Sequence, residues 1–556
     1  MEKIKVNCKN TGVSKNVLFG TTLQELIEVF NPDLRYPVLG AYVNNTLKDL
    51  SYMVCCFSDI EFFDITTQDG MRMYIRSLNF VLYKAVKDIL PGKSKLYILH
   101  AVSKGYYCEI RDVDARKSTS EIVKLLKKRM KEIIQEDLDF IKYKTKTEEA
   151  IKIFSKAGLD DKKLLLSQRK RIYTSVYKMD GSTNYLHGNL VPSTGYLKTF
   201  DLVNYYDGML LQVPSIDDPT KIKKKVKQRQ LFEVFKEHKA WLQLMNIENV
   251  GKLNNCIENK EEGNLIKIAE ALQEKKIVKI ADNIFRSRSQ IKVVLISGPS
   301  ASGKTTFSKR LSIQLQVSGL KPVVISLDNY FVNRDKTPID ENGEFDFESL
   351  DAIDIKLFNK HLVELIKGKK ITIPSFDFTH GKRKKNGEEL QLSENSIIII
   401  EGIHGLNPGL TPSVENRNKY KIYVSALTQV SIDRHNRINT TDNRLLRRII
   451  RDHNYRGHSA LQTLKRWGSV RAGEEKNIFP YQEEADIMFN SSLLYEFCIL
   501  KSLAEPLIKA IPENVKEYAE AMRLLKFLSF FLPIPKKEIP QTSLLREFIG
   551  GSSYEY

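Results

Sequence analysis

The sequence predicts a multidomain α/β chain whose later half is a parallel sheet covered on both faces. Three observations carry this. At roughly 100 to 200 residues per domain, a chain of 556 residues is too long for one compact unit. Strand-like and helix-like patterns alternate along it. From Ile291 onward four apolar runs, at 293–296, 323–327, 397–400 and 422–425, are separated by helical stretches. Unbroken apolar runs, rather than alternating ones, are what strands buried on both faces require.

Taken in order, Ile4 and Val6 alternate with Lys3, Lys5 and Asn7 as in a half-buried strand. Thr22, three residues before Glu25, opens a capped helix. Strands resume at 41–43 and 60–63, with Asn44-Asn45 as the hairpin turn. A small ubiquitin-like β-grasp unit over 1–64 follows. Residues 65–215 set helices at 74–90 and 120–136 beside strands at 96–101 and 106–110, an α+β pattern. Residues 216–288 are polar and helix-rich, opening on the basic run 221–227, and predict a helical connector, since structureless loops beyond ~15 residues are uncommon in compact chains. The parallel-sheet unit is expected over 289–500 and a helical tail over 501–556, its main helix spanning 494–531.

Composition narrows the classes. Apolar residues make up 42% and charged residues 28%, which excludes collagenous and disordered chains. Lys and Arg number 87 against 68 Asp and Glu, a net charge of +19 that favours anionic partners. Cys8, Cys55, Cys56, Cys108, Cys256 and Cys498 form no CxxC pair, so neither a disulfide framework nor a zinc knuckle is expected and a reducing cytoplasm is. No apolar run approaches the ~20 residues that span a bilayer, and no secretory signal is legible; no membrane partner is expected.

Gly298-Pro299-Ser300-Ala301-Ser302-Gly303-Lys304-Thr305 matches GxxxxGK[ST] directly after one apolar run and directly before a helical pattern, the context that gives this motif its meaning. Backbone N–H groups over Gly298, Ser300, Ala301, Ser302 and Gly303, continuing to Thr306, are the candidate cradle for nucleotide phosphates at a helix N-terminus. Lys304 would neutralise the β and γ phosphates, and Thr305 would offer its hydroxyl to Mg²⁺. The run 323–327 ends in Asp328-Asn329-Tyr330-Phe331, setting a carboxylate at the C-terminal edge of the sheet, where open α/β folds bind ligands. Asp328 is the candidate base. Further on, Arg444, Arg447, Arg448 and Arg451 fall at i, i+3, i+4 and i+7, with Arg456 just beyond, so one helical face carries guanidinium groups suited to bidentate phosphate contact.

On these segments, residues 291–500 resemble the uridine kinase and phosphoribulokinase family of P-loop kinases. The resemblance implies ATP and Mg²⁺ as cofactors and a nucleoside, uridine or cytidine, as the substrate phosphorylated on its 5′-hydroxyl. It implies Asp328 as the base with aromatic Tyr330 beside it, and Asp346 of Phe345-Asp346-Phe347-Glu348 on the ribose. Phe376 and His380 would lie against the base, and Glu401, ending the run 398–400, would assist Mg²⁺. Arg444, Arg448 and Arg451 would form a lid over the phosphates, with Arg456 turned to the substrate. The family sets His and Pro after its ribose-binding Asp, where this chain has Phe347 and Glu348. Two readings stand beside this one: a kinase for another hydroxylated metabolite, as in phosphoribulokinase, and an RNA- or ribosome-associated protein whose P-loop is a switch.

Residues 1–64 resemble the TGS domain of threonyl-tRNA synthetases, and 65–215 the domain that follows it there. Arg76-Ser77-Leu78-Asn79-Phe80 stands where that domain carries HSxxH, and both histidines are missing, so neither zinc nor editing is expected. His100 and His187 are isolated, and structural roles are expected of them. The full order resembles a bacterial family of long nucleoside kinases, through the segments 187–195 and 545–551. RNA contact through the amino-terminal units and assembly as a homo-oligomer are expected.

Overall fold

The computed structural model describes residues 2–90, 92–113, 118–339, 343, 345–377, 380–428 and 430–555. The chain opens with β1 (Lys3–Cys8), β2 (Val13–Leu18), α1 (Leu23–Phe30), β3 (Gly40–Val43), β4 (Thr46–Lys48) and β5 (Ser58–Phe63), in a sheet of order β2-β1-β5-β3-β4. The Thr22–Glu25 capping box is present, and Asn44 and Asn45 turn the β3–β4 hairpin at φ 47° and 57°. Strand β2, whose alternation is almost entirely exposed, has no counterpart in the sequence reading.

Next come α2 (Gln68–Ile89), β6 (Lys95–Val102), β7 (Gly105–Arg111), α3 (Thr119–Gln135), β8 (Ile141–Lys146), α4 (Thr147–Lys156), α5 (Asp160–Ser167), β9 (Tyr173–Met179), β10 (Ser182–Asn184), β11 (Asp201–Tyr205) and β12 (Gly208–Gln212). They form two antiparallel sheets, β11-β12-β7-β6 and β10-β9-β8. The connector is α6 (Arg229–Leu244), α7 (Val250–Glu258) and α8 (Glu262–Arg286).

The second half contains β13 (Val293–Ser297), α9 (Lys304–Val317), β14 (Lys321–Ser326), α10 (Ile355–Ile366), the hairpin β15 (Ile371–Asp377) and β16 (Lys382–Leu390), then β17 (Ser396–Glu401), β18 (Lys419–Ser425), α11 (Thr440–Arg456), α12 (Ala460–Asn477) and β19 (Ile487–Asn490). Its sheet runs β14-β17-β13-β18-β19, parallel throughout. Every residue of β13 is buried, and β14, at the edge, is the most exposed strand of the five, as its position demands.

The expected single helix over 494–531 is two, α13 (Glu496–Lys509) and α14 (Tyr518–Leu528), followed by the short α15 (Arg546–Ile549). The chain between α13 and α14 turns so that both pack inward. Nor is the tail peripheral: Leu544, Leu545, Phe548 and Ile549 are fully buried and belong to one apolar core that also takes in Leu39, Phe80, Ile277 and Phe307. A fully buried ion pair, Lys162 to Asp433 at 2.6 Å, ties the α+β unit to the sheet unit, and Arg434 pairs with Asp161 at 2.9 Å beside it. Among the described residues no helix is long and apolar enough to cross a membrane.

Candidate active site

The P-loop begins where β13 ends. Gly303, just before α9, sits at φ +84°, and a Cβ there would lie 2.3 Å from Leu544 Cδ2, so both the turn and the tail packed on it require glycine. Lys304 folds back over the loop and donates to the carbonyls of Gly298 at 2.9 Å and Pro299 at 3.2 Å. The first N–H groups of α9 have no acceptor within the helix, which makes this end an anion site.

Sheet register brings the second group of residues beside it. Ser326 ends β14 opposite Glu401, which ends β17, and Glu401 in turn pairs with Ile296 of β13. Glu401 Oε1 accepts from Ser326 Oγ at 3.2 Å and from Thr305 Oγ1 at 3.4 Å. Burial pushes the Glu401 carboxyl up to about 7 against the pull of Lys304, with Asp328 and Glu547 adding to the rise. Asp328 follows β14 in a single 3-10 turn. Burial raises its pKa too, while the charges of Lys304, Arg456 and Arg451 oppose the rise. Among the described residues no group donates a hydrogen bond to it.

The arginine face of α11 divides in two. Arg444 is buried and forms a bidentate pair with Glu474 of α12, its Nη2 at 2.7 Å from Oε2. Arg447 is fully buried against Glu496, 2.5 Å away. These two are held by buried carboxylates, which account for how so many guanidinium groups share one helix. Both also hold the loop's backbone, Arg444 donating to the Ser300 carbonyl at 3.1 Å and Arg447 to that of Ala301 at 3.4 Å. The remaining three are less enclosed. Arg448 Nη1 donates to Ser300 Oγ at 2.9 Å, Arg451 pairs with Asp452 at 2.8 Å, and Arg456 lies half-exposed, 3.8 Å from Asp452. Neighbouring Arg451, then burial, lowers the Arg456 pKa to about 10.

The expected acceptor-side residues come together only in part. Tyr330 is turned into the core, edge-on to Phe358, with its hydroxyl 3.1 Å from His361 Nδ1, so it is a packing residue and not a substrate contact in this state. Its aromaticity suits a strand-end plug as well as a ligand. Phe376 packs against Phe331. His380 is 76% exposed and its Nδ1 lies 2.9 Å from Asp377 Oδ2; Phe378 and Thr379 of the same segment lie outside the described residues. Asp346 Oδ1 accepts from the backbone N–H of Glu348 at 3.1 Å.

Two further carboxylates bind the loop and the first turn of α9, a third packs on α12, and nothing local in the sequence marks them. Glu474 Oε1 accepts from the Ser300 N–H at 3.0 Å. Glu547 Oε2, from the tail, accepts from Thr306 N–H at 3.1 Å and Thr306 Oγ1 at 2.7 Å. Glu348 is packed on Gly473 of α12, and its buried Oε2 has no hydrogen-bond partner among the described residues. Burial, then the charge of Glu474, pushes Glu348 up to about 7.

The family described as "Phosphoribulokinase / Uridine kinase family" matches residues 293–493. The uridine kinase of Borrelia duttonii is 32% identical over 228 residues, covering 39% of this chain and 97% of that protein. That of Mycoplasma pneumoniae is 31% identical over 175 residues, covering 32% and 73%. A threonine–tRNA ligase of Carboxydothermus hydrogenoformans is 30% identical over 185 residues, covering 33% of this chain and 28% of the ligase. The parallel sheet, the strand-flanked phosphate loop and a match spanning almost the whole of a uridine kinase agree, and through its later half this chain belongs to the phosphoribulokinase and uridine kinase family.

Proposed function

We propose that the chain phosphorylates the 5′-hydroxyl of a nucleoside, uridine foremost, using ATP and Mg²⁺. The observation that carries this reading is Asp328: a half-buried carboxyl directly after a strand end, unclaimed by any donor among the described residues, within the electrostatic reach of Lys304, Arg451 and Arg456. Such a group takes the proton of an acceptor hydroxyl as its oxygen bonds to the terminal phosphorus and the bond to the ADP leaving group breaks. Lys304 and the arginines of α11 balance the charge spread over the transferring group. Thr305 and Glu401, already within 3.4 Å of each other, fit the hydroxyl-plus-carboxylate set that holds Mg²⁺ beside nucleotide phosphates. Bound there, Mg²⁺ would supply charge neutralisation at the phosphates.

ADP release measured with uridine, cytidine, purine nucleosides and sugar phosphates as acceptors tests this reading. Uridine-dependent release, lost in Asp328→Asn, supports it; release independent of every acceptor would instead make the P-loop a switch. Exposed His380 and inward-turned Tyr330 favour one second reading, an acceptor that is not recognised through a pyrimidine base.

A further inference from the structure

The segment 187–195, which the kinase reading leaves without a role, folds against α2, the loop after α5 and α14. Gly188, at φ +129°, has no Cβ, and one placed there would lie 2.4 Å from the Arg76 guanidinium carbon; the guanidinium rests directly on this stretch of backbone and donates to the Asn189 carbonyl. Arg169 lies over the Phe530 ring, 4.3 Å from its centroid, and donates to Tyr185 Oη at 3.0 Å and Ser529 Oγ at 3.4 Å. His187 meets the same Phe530 edge-on at 5.0 Å, and its Nδ1 is buried with no partner among the described residues. Lys526, near the end of α14, accepts from the same Ser529 Oγ through its carbonyl at 2.7 Å and is exposed.

Among the described residues no carboxylate lies within ion-pair distance of Arg76, Arg169 or Lys526. The acids nearby are spoken for: Asp49 pairs with Lys142 at 2.6 Å, Asp433 with Lys162 at 2.6 Å, and Glu520 with Arg72 and Arg523, both at 2.8 Å. Like charges therefore lie close together with no opposite charge among the described residues to pair them. Burial and then the charges of Arg76, Lys142, Arg169 and Arg171 lower Lys526 to about 8, and burial lowers Arg76 to about 10. Folded proteins pair such groups or give them to a ligand.

We propose that Arg76, Arg169, Lys526 and His187 form a second anion site, separate from the P-loop, that binds the phosphate group of a small phosphomonoester. Two planar guanidinium groups, an ammonium and a ring N–H match the several acceptor oxygens of a phosphate dianion, and Phe530 with Tyr185 supplies an apolar wall beside it. A carboxylate ligand would leave donors unused. The site joins the α+β unit to the carboxy-terminal tail and contains no residue of the phosphate loop, so its occupancy does not depend on the kinase reading.

The test is calorimetric titration of the full chain, its P-loop first saturated with a non-hydrolysable ATP analogue, using inorganic phosphate, ribose 5-phosphate and uridine 5′-monophosphate as separate probes. Saturable binding of one equivalent of at least one probe is expected, weakened tenfold or more in both Arg76→Gln and Lys526→Gln, with affinity for the ATP analogue unchanged. Tighter binding of the ribose or uridine phosphate than of inorganic phosphate identifies an ester as the ligand. Because Lys526 is solvent-facing, its variant keeps the test valid should Arg76→Gln fail to fold. No saturable binding of any probe, or binding indifferent to Lys526→Gln, overturns the proposal.

Discussion

The carboxylate of Glu547 holds both donors of Thr306, the backbone N–H at 3.1 Å and the hydroxyl at 2.7 Å. These donors belong to the helix end that a nucleotide phosphate needs. Glu547→Gln removes a negative charge from that place while keeping the side chain's size. Nucleotide affinity is expected to rise by about tenfold, the scale of one charge-assisted hydrogen bond, in equilibrium titration with an ATP analogue. Unchanged or weaker binding would show that Glu547 does not compete.

Asp328→Asn should lower kcat by about 100-fold or more while leaving the thermal midpoint intact, the usual cost of losing a general base. The group works only when ionised, and burial raises its pKa, so the acid limb of the wild-type rate profile should lie above the ordinary aspartate range. A profile flat down to the ordinary aspartate pKa would deny Asp328 the role.

The two kinds of arginine on α11 should separate experimentally. Arg447→Ala strands the buried Glu496 carboxylate and is expected to cost about 3–5 kcal/mol of stability. Arg456→Ala, at a half-exposed residue, should leave denaturant midpoints in place and lower kcat instead. Equal loss of stability in both variants would remove the division.

Glu348 gives an inverted pH dependence. Its carboxyl holds a proton up to about 7 in the folded chain but only to about 4.5 when unfolded, so the folded state binds the extra proton between those values. Stability through this group is therefore highest below about 4.5 and falls as pH rises through 7, opposite to a salt-bridged carboxylate. Glu348→Gln should accordingly stabilise at pH 8, by on the order of 2 kcal/mol, and do little at pH 5, in denaturation curves at the two pH values.

What the sequence made legible was local. Residues 298–305 announce themselves because a phosphate loop must be contiguous, and Asp328, Glu401 and the α11 arginines follow because strand ends and helix faces obey short periods. Glu348, Glu474 and Glu547 carry no such mark. Each takes its place only through tertiary packing, Glu547 meeting Thr306 from 241 residues away. Tyr330 misleads for the same reason: whether an aromatic at a strand end turns in or out is decided by Phe358 and His361, on another helix.

Leu544 resting on Gly303 means that the stretch recognised by family likeness, 293–493, is smaller than the piece that must hold together for its loop to keep its shape. An excised 293–493 fragment would contain every residue of the phosphate motif, yet lack Leu544, Glu547 and Phe548 on one side, and on the other Glu274, which receives Arg310 at 2.5 Å and Gln314 at 2.6 Å from α9. Evolutionary kinship and mechanical independence draw different borders in this chain.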